Sequence, residues 1–372
     1  MNKIKVCHVT SVHPSKDGRI FAKECVSLAK AGYDVYLVAQ GDSEVCQDVT
    51  IVGCGKTTGN RICRIFGFSN KIIKKAIDLD ADIYHLHDPE LLLYALKLKA
   101  KGKKVIFDSH ENYSMQIQTK EYLPKQLLFL ISFIYVKIET FVLRKINAAI
   151  IPCTFNGKNI FEGRVKRVEY IKNYPLLNEF YDKYDEKAQK GGYICYVGAL
   201  AYGRGIFHLV KAAAMAEAPL VLAGKYSSAK FGKIIHNMPE YTNVDDRGFV
   251  TMEEVVAIEK GATIGICTEL DYGQNHIIDT FCTKVLEYMA MGLPVILCDT
   301  PYSRKVMQDY KFGICVKPDN VEEIAKAIKY IVNNPSVAAK MGEEGRRAVR
   351  EHFNWDTEAK KLVNLYKDIM SS

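Results

Sequence analysis

The feature that most constrains the fold is a repeated alternation of short apolar runs with longer helical patterns. Apolar runs recur along the whole chain, and most are followed by a segment with helical spacing. This alternation is typical of parallel sheets that are covered by helices on both faces. It predicts an α/β protein.

The alternation stops once and then restarts, which indicates two lobes. Residues 172–191 are polar and carry a proline and a pair of glycines, as an inter-domain linker would. We expect an N-terminal lobe over 1–175, a C-terminal lobe over 176–352, and a helix over 353–372 that returns to the first lobe. Two Rossmann-like, doubly wound lobes in tandem would face a central cleft, because ligands collect at the carboxyl ends of parallel strands.

The same patterns locate the individual elements. In the first lobe, predicted strands are near 3–9, 34–39, 49–53, 82–87, 103–107, 148–152 and 168–171, and predicted helices near 19–31, 61–78, 89–100 and 125–146. In the second, predicted strands are near 193–197, 219–223, 243–248, 263–267, 294–298 and 312–316. Predicted helices there are near 204–216, 252–260, 282–291, 320–333, 335–352 and 355–370.

Composition and charge narrow the class of protein. The 11 cysteines are odd in number and scattered, which favours reduced core cysteines over a disulfide framework or a zinc site. With no signal peptide and no apolar run of the roughly 18 residues that cross a membrane, we expect a cytoplasmic protein. Residues 1–180 hold 27 Lys+Arg against 18 Asp+Glu, and residues 181–372 hold 24 against 25. The excess indicates either chance solvation or an anionic surface or substrate facing the first lobe, and no nucleic-acid partner is expected.

The strongest chemical signal is the stretch from Asp279 to Ile296. Asp279 lies in a predicted loop, and Glu287 lies eight residues later, about two turns into a predicted helix. The backbone N–H groups at the start of this helix can hold a diphosphate. Carboxylates repel a diphosphate, so we expect Asp279 to accept a hydrogen bond from a sugar and Glu287 from a ribose. The alternative is that Glu287 is a surface residue and Asp279 a helix cap.

This stretch resembles the Glu-x7-Glu signature of retaining glycosyltransferase family 4, with aspartate at its first position. The segment from Tyr196 to Ile206 resembles the strand–turn–helix of that family, in which a basic residue precedes a glycine. The resemblance implies the GT-B fold and an Arg204 that pairs with the diphosphate. Ala199 occupies the position of a second arginine in many members, and Lys284 is the candidate replacement.

The resemblance extends to the first lobe. The loop after the first strand resembles the family's first loop, which implies Gly18 near the donor and Asp17 and Arg19 on the acceptor side. The segment after the strand near 103–107 resembles the family's strand-end histidine, which implies His110 near the reacting centre and Glu111 beside the acceptor. The implied catalytic residues are His110, Asp279 and Arg204. The implied donor-binding residues are Gly18, Arg204, Phe281, Cys282, Thr283, Lys284 and Glu287.

The spacing of possible ligands in the sequence argues against a metal site. His85 and His87 share one face of a predicted strand, but no third ligand is evident near them in the sequence. His87 ends this strand, so it either lines the cleft on the acceptor side or is a structural strand-end histidine. Asp78 and Asp80 form an Asp-x-Asp pair, but they precede a strand and so lie at the wrong end of the sheet. We therefore expect no metal and no other cofactor.

The implied function is transfer of a sugar, with retained configuration, from a nucleotide-diphosphate donor to a glycan or lipid-linked acceptor in cell-surface polysaccharide synthesis. Two alternatives stay open: a GT-B nucleotide-sugar epimerase that uses Glu111, and a non-catalytic nucleotide-sugar-binding subunit. The apolar segment 127–136, flanked by basic residues, predicts either contact with an anionic membrane face or packing on the first lobe's own sheet. The first of these would make the protein peripheral on the inner membrane face.

Overall fold

The computed structural model describes residues 3–57, 67–118, 124–271, 274 and 276–371. The chain divides into two compact units, one formed by Met1–Asn173 with Asp356–Ser372 and the other by Tyr174–Trp355. Each unit is built on its own, mainly parallel sheet. The α/β class with two doubly wound sheets, expected from the alternating sequence pattern, is confirmed.

The first unit contains an eight-stranded sheet. Its strands are β1 (Lys5–Pro14), β2 (Asp34–Gln40), β3 (Glu44–Cys46), β4 (Val49–Gly53), β5 (Ile83–Leu86), β6 (Lys104–Asp108), β7 (Ala148–Ile151) and β8 (Val168–Tyr170). The order across the sheet is β3-β4-β2-β1-β5-β6-β7-β8, and all neighbours are parallel except β3 and β4. Every residue of β5 and β7 is buried, as central strands covered on both faces require.

Helices cover this sheet. They are α1 (Val26–Lys30), α2 (Ser69–Asp78), α3 (Tyr94–Ala100), α4 (Tyr113–Gln118) and α5 (Lys125–Leu143), and a C-terminal helix adds its residues from Asp356 onward. The predicted helix 19–31 begins as a π-helical turn, Ile20–Cys25, before α1. Such turns are frequent at functional sites. This one carries Glu24, which is fully buried. Most of the predicted helix 61–78 that precedes Ser69 lies outside the described residues.

The second unit contains a six-stranded parallel sheet. Its strands are β9 (Ile194–Val197), β10 (Leu220–Ala223), β11 (Val244–Asp246), β12 (Ile264–Cys267), β13 (Val295–Cys298) and β14 (Gly313–Val316), in the order β11-β10-β9-β12-β13-β14. Its helices are α6 (Ile206–Met215), α7 (Ala229–His236), α8 (Met252–Gly261), α9 (Thr283–Ala290), α10 (Pro301–Asp309), α11 (Val321–Asn333) and α12 (Pro335–Glu351), and α13 (Trp355–Ser371) follows.

Strand order fixes where each unit can hold a ligand. The order reverses between β1 and β5 in the first sheet and between β9 and β12 in the second. Connections leave such a pair toward opposite sides, so a crevice opens at the carboxyl ends of its two strands. In this chain those ends are followed by His87 and Asp88 in the first unit, and by Gly198 and Glu269 in the second.

The apolar segment 127–136 belongs to α5, which is longer than that segment. The helix spans 19 residues and has a mean hydropathy of 1.8. By length and composition it could cross a membrane, although 28% of its most apolar 18-residue stretch is buried in the unit. The expectation that no segment reaches this length is therefore wrong, because the apolar character continues past Lys137 to Leu143. Eight of its large apolar side chains are exposed: Leu127, Phe129, Leu130, Ile131, Phe133, Ile134, Ile138 and Phe141. These eight side chains do not pack on the first unit, whereas Leu128 and Ser132 of the same segment are buried in it.

Candidate functional site: charged clusters at the carboxyl ends of the two sheets

In the second unit, Glu269 joins two cationic side chains at the switch point. It lies two residues beyond the end of β12, and its carboxylate Oε1 pairs with the guanidinium of Arg204. The same oxygen lies 3.3 Å from Lys284 Nζ. Arg204 ends a 3-10 turn that follows β9, and Lys284 lies in the first turn of α9. Three chain segments therefore bring two cations and one carboxylate together.

Glycines permit this close approach. Gly205, next to Arg204, has φ = +75°, and a Cβ built on it would lie 2.0 Å from the carbonyl oxygen of Thr268. Gly198 has φ = +141°, and a Cβ there would lie 3.1 Å from Lys284 Cε. A side chain at Gly205 would push apart the turn after β9 and the end of β12, and one at Gly198 would displace the Lys284 side chain. The Arg-Gly pair noted in the sequence is thus required by packing as well as by charge.

The start of α9 adds a further positive field. Cys282 is its N-cap residue, and the Cys282 side chain makes no capping hydrogen bond. The first N–H groups of a helix and its dipole attract anions. Although burial lowers it, the pKa of Lys284 is raised well above its usual value by the neighbouring thiols, Tyr196 and Glu269. Lys284 therefore stays charged beside the helix start.

A pocket opens beside this cluster. Its lining is Cys267, Glu269, His276, Ile278, Thr280, Phe281, Cys282, Val285, Leu297, Cys298, Thr300 and Ser303. The sequence-predicted residues Phe281 and Cys282 belong to this lining, whereas Thr283 is exposed at the helix start. Asp279 is half-buried between two lining residues. Glu287 is half-buried one helix turn beyond Lys284, near Glu259 of α8, whose pKa is raised by burial and by the charge of Glu287.

Two thiols meet at the pocket. Cys267 Sγ lies 3.2 Å from Cys282 Sγ. The pKa of Cys282 is lowered, first by its hydrogen bond with Cys267 and also by Lys284, against the effect of burial. The pKa of Cys298 is raised to about 12 by burial. The thiol of Cys282 is therefore more readily ionised than that of Cys298.

In the first unit, the sequence-predicted residues Arg19, His87 and His110 converge on Asp108. Arg19 Nη2 lies 2.9 Å from Asp108 Oδ2, and Arg19 also donates to the carbonyl oxygen of Ile171. His110 Nε2 lies 3.5 Å from the same carboxylate oxygen and 3.3 Å from His87 Nδ1. The side chain of His110 is 16% exposed, while those of His87 and Asp108 are fully buried. Arg19 is 7% exposed, so it holds Asp108 from within the unit.

The loop after β1 forms the more exposed part of this region. Asp17 accepts from the backbone N–H groups of Arg19 and Ile20, and its Oδ2 lies 3.3 Å from His13 Nδ1. These hydrogen bonds outweigh burial and lower the pKa of Asp17 to about 2. Gly18 is exposed, with open space around it. Glu111 is also exposed, and its carboxylate accepts from Gln116 rather than from the histidines.

Sequence reasoning missed two residues beside His85 and His87. His8 of β1 and Glu24 of the π-helical turn lie with them in a fully buried group whose ligand-type atoms are all within 4.8 Å of one another. The expectation that no third ligand lies nearby is therefore wrong. The parallel register of β1 with β5 places His8 opposite His85. A polar His8 inside an apolar strand was the available signal.

Comparisons with known proteins agree with this architecture. A profile described as Glycosyl transferases group 1 matches residues 178–348, and a profile described as Glycosyltransferase Family 4 matches residues 19–173. An uncharacterized glycosyltransferase of Methanocaldococcus jannaschii is 25% identical over 182 residues, which are 48% of this chain and 45% of that protein. The O-antigen chain mannosyltransferase C of Escherichia coli is 23% identical over 181 residues, 48% of this chain and 47% of that protein. The chain spans about half the length of the curated relatives it matches.

Similarity to solved structures extends over nearly the whole chain. The Anabaena protein HepE, solved with UDP and glucose, superposes with a TM-score of 0.71 at 12% identity, covering 98% of this chain and all of that one. At this identity the likeness concerns the fold alone. The fold is that of the GT-B glycosyltransferases, as the sequence resemblance implied.

Proposed function

Because this chain belongs to the glycosyltransferases of the family 4 type, we propose that it transfers a sugar from a nucleoside diphosphate donor to a glycan or lipid-linked acceptor, with retained anomeric configuration. The observation that carries the proposal is the pairing of Arg204 and Lys284 through Glu269 beside the start of α9. The named relatives support the reaction class, and the O-antigen relative supports a role in polysaccharide synthesis.

The cluster suits a diphosphate leaving group. As the bond between sugar and diphosphate breaks, negative charge grows on the phosphate oxygens. Arg204, Lys284 and the N–H groups at the start of α9 can stabilise that charge without rearranging, since Glu269 already orients both side chains. Asp279 and Glu287 then accept hydrogen bonds from the sugar and the ribose. Phe281 and Cys282 form part of the wall beside them.

We propose that transfer needs no divalent metal at the donor. The two cationic side chains and the helix start supply positive charge where other transferases use Mn²⁺ or Mg²⁺. Initial rates should be equal in EDTA and in added Mg²⁺ or Mn²⁺. A rate that appears only with the added ion would contradict this part of the proposal.

In the first unit, His110 is proposed to act on the sugar. It is partly exposed, and Asp108 and His87 hold its ring from the buried side. Through its backbone carbonyl or its ring it can stabilise positive charge on the sugar or bind a hydroxyl. Asp17 and Arg19 position the loop beside His110. Glu111 is exposed next to His110, where it can contact the acceptor.

We propose that the acceptor is presented on an anionic membrane face that α5 contacts. The polarity of this helix is inverted relative to an ordinary surface helix. Its polar residues Ser132 and Glu139 are buried, where Glu139 pairs with Arg164, while Phe129 and Phe133 are 67% and 52% exposed. An exposed apolar face of this size marks an interaction surface.

The positive charge around the apolar face of α5 favours an anionic membrane as its partner. Four exposed basic residues border the apolar face: Lys125, Lys137, Arg144 and Lys145. Lys137 Nζ and Lys145 Nζ lie 5.2 Å and 5.1 Å from the ring centroids of Phe133 and Phe141, so cations and apolar surface alternate. Apolar insertion combined with basic flanks is how interfacial helices bind, at about 1 kcal/mol for each basic residue near an anionic surface. Lys120, a further flanking residue, lies outside the described residues.

Vesicle sedimentation tests this contact. Binding to vesicles with anionic lipid should weaken as salt rises, and should fall with Phe129→Ser/Phe133→Ser and with Lys120→Glu/Lys125→Glu/Lys137→Glu. The matched control is Lys326→Glu/Lys329→Glu, an exposed pair on α11 of the second unit. Equal binding to neutral and anionic vesicles, or none to either, would contradict the proposal. A concentration-dependent dimer lost in the phenylalanine variant would instead assign α5 to a second copy.

The donor proposal is tested by a screen of nucleoside diphosphates. UDP, GDP, ADP and TDP are each added to the protein and the melting temperature is measured. At a concentration of 100 Kd, a ligand that binds the folded state alone adds about 2.7 kcal/mol of stability. The diphosphate of one nucleoside should raise the melting temperature well above the value measured with the monophosphate of the same nucleoside. No rise with any diphosphate would contradict the proposal.

A further inference from the structure

We propose that the first unit binds one divalent transition-metal ion, zinc by its ligand chemistry, in the buried group of His8, Glu24, His85 and His87. All four residues are fully buried. His8 lies on β1, His85 lies on β5 and His87 directly follows it, and Glu24 lies in the π-helical turn Ile20–Cys25. Three imidazoles and one carboxylate form a complete ligand set for a closed, four-coordinate zinc site.

The distances suit this coordination. Glu24 Oε2 lies 3.9 Å from His8 Nδ1, from His85 Nδ1 and from His87 Nε2. His8 Nδ1 and His87 Nε2 are 2.9 Å apart. With metal–ligand bonds of about 2.0–2.1 Å, neighbouring ligands of a tetrahedral site lie about 3.3 Å apart. The observed spacings lie on both sides of that value, so small side-chain movements complete the site.

The two oxygens of Glu24 face different partners. Oε1 lies 3.1 Å from Arg19 Nε, whereas Oε2 faces the three histidines. Within the described part of the chain, neither oxygen of Glu24 has a hydrogen-bond partner. The Nε2 atom of His85 also has none there. A buried carboxylate oxygen without a hydrogen bond is costly unless a cation satisfies it. Monodentate ligation through Oε2, with Oε1 held by the guanidinium, would satisfy both oxygens.

Outer partners orient the histidine rings. His8 Nε2 lies 3.2 Å from the hydroxyl of Tyr366, which leaves Nδ1 to face Glu24. His87 Nδ1 lies 3.7 Å from Asp108 Oδ2, which leaves Nε2 inward. Metal-bound histidines in general direct their second ring nitrogen to such a group. Tyr366 also lies 2.8 Å from His85 Nδ1, a hydrogen bond that ligation through this nitrogen would replace.

Charge points the same way. Arg19 contacts both Glu24 and Asp108, so two buried carboxyl groups share one guanidinium. Because no ligand is exposed, the ion would tie β1, β5 and the π-helical turn together rather than meet substrate. The inference does not depend on the proposed transfer reaction.

Metal content and cobalt spectroscopy test the site. The full chain is purified with a non-histidine tag and without chelator, and its metals are measured by mass spectrometry. About one equivalent of zinc or another first-row ion is expected, as for a single closed site. Chelator-treated protein titrated with Co²⁺ should develop the visible ligand-field bands of tetrahedral cobalt, saturating at about one equivalent.

Variants locate the ion. Glu24→Gln and His85→Gln should lose the ion and the cobalt bands, whereas His208→Gln, a histidine of the second unit, should keep both. Circular dichroism checks folding. If the two variants do not fold, the cobalt titration of the unaltered chain decides, together with a melting temperature that falls on chelation and is restored by Zn²⁺ but not by Mg²⁺. Folded, unaltered protein without bound metal and without cobalt bands would overturn the proposal and assign the group to a hydrogen-bonded histidine cluster.

Discussion

Replacing Arg204 by alanine should weaken nucleoside diphosphate binding without unfolding the second unit. The side chain is 37% exposed, and its ion pair is with Glu269. Since Lys284 also pairs with Glu269, the carboxylate keeps one cation after the change. Glu269 is only 9% exposed, but it keeps Lys284 as a partner, so loss of the Arg204 pair should cost on the order of 1–2 kcal/mol of stability. The fold should therefore persist while one cation of the diphosphate site is lost.

The magnitude follows from the bonds at stake. A hydrogen bond to a charged group is worth about 1.5–3 kcal/mol, which corresponds to about a 10- to 150-fold rise in Kd. A bidentate guanidinium–phosphate contact lies toward the upper end of this range. Lys284 and the start of α9 remain, so binding should be weakened rather than abolished.

The assay is isothermal titration of the preferred diphosphate into the unaltered chain, Arg204→Ala and Arg247→Ala. Arg247 is a matched control, because it pairs with Asp245 in the same unit and both are about half exposed. The control should bind as the unaltered chain does. An unchanged Kd in Arg204→Ala, with a normal melting temperature, would refute the assignment of Arg204 to the diphosphate site.

Three further results are expected. Gly205→Ala should lower the free energy of unfolding by about 2 kcal/mol or more in a denaturant titration, because φ is +75° and the new Cβ would meet the Thr268 carbonyl; an unchanged stability would contradict the packing argument. Iodoacetamide should modify Cys282 before Cys298, since the pKa of Cys282 is lowered and that of Cys298 is raised to about 12, and a bound diphosphate should protect Cys282; peptide mass spectrometry showing the reverse order would contradict the assigned charges. His110→Ala should reduce turnover by about 10²-fold or more with little change in melting temperature, whereas a large stability loss with normal turnover per folded molecule would mark His110 as structural.

The sheets were predictable from sequence because each central strand is a short, continuous apolar run. Elements without that signal were missed, namely β3, α4, α7 and α10. For α10 a local signal existed: Thr300 caps the helix through the Ser303 N–H, and Pro301 occupies its first position. For α7, Ser228 caps in the same way. The strand β3 is three residues long, two of them exposed, and has no such signal.

The charged clusters were only partly predictable. Arg204 and Lys284 were expected from local motifs, but Glu269, which joins them, comes from a different segment and has no motif of its own. His8 and Glu24 were missed for the same reason, since their proximity to His85 and His87 depends on the pairing of β1 with β5 and on the π-helical turn. Such contacts arise from strand order, which a single sequence leaves open.

The central claim is that this chain transfers a sugar from a nucleoside diphosphate donor. The most direct measurement is a turnover assay with a panel of nucleotide sugars, labelled in the sugar, in the presence of extracted bacterial lipids and glycans as acceptors. The account predicts release of one nucleoside diphosphate together with label on an acceptor, a product linkage of the same anomeric configuration as the donor, and a strong reduction of both products with Arg204→Ala. Label recovered as a free, rearranged sugar would indicate an epimerase, and a donor that binds but stays intact with every acceptor would indicate a non-catalytic subunit; either result would contradict the account.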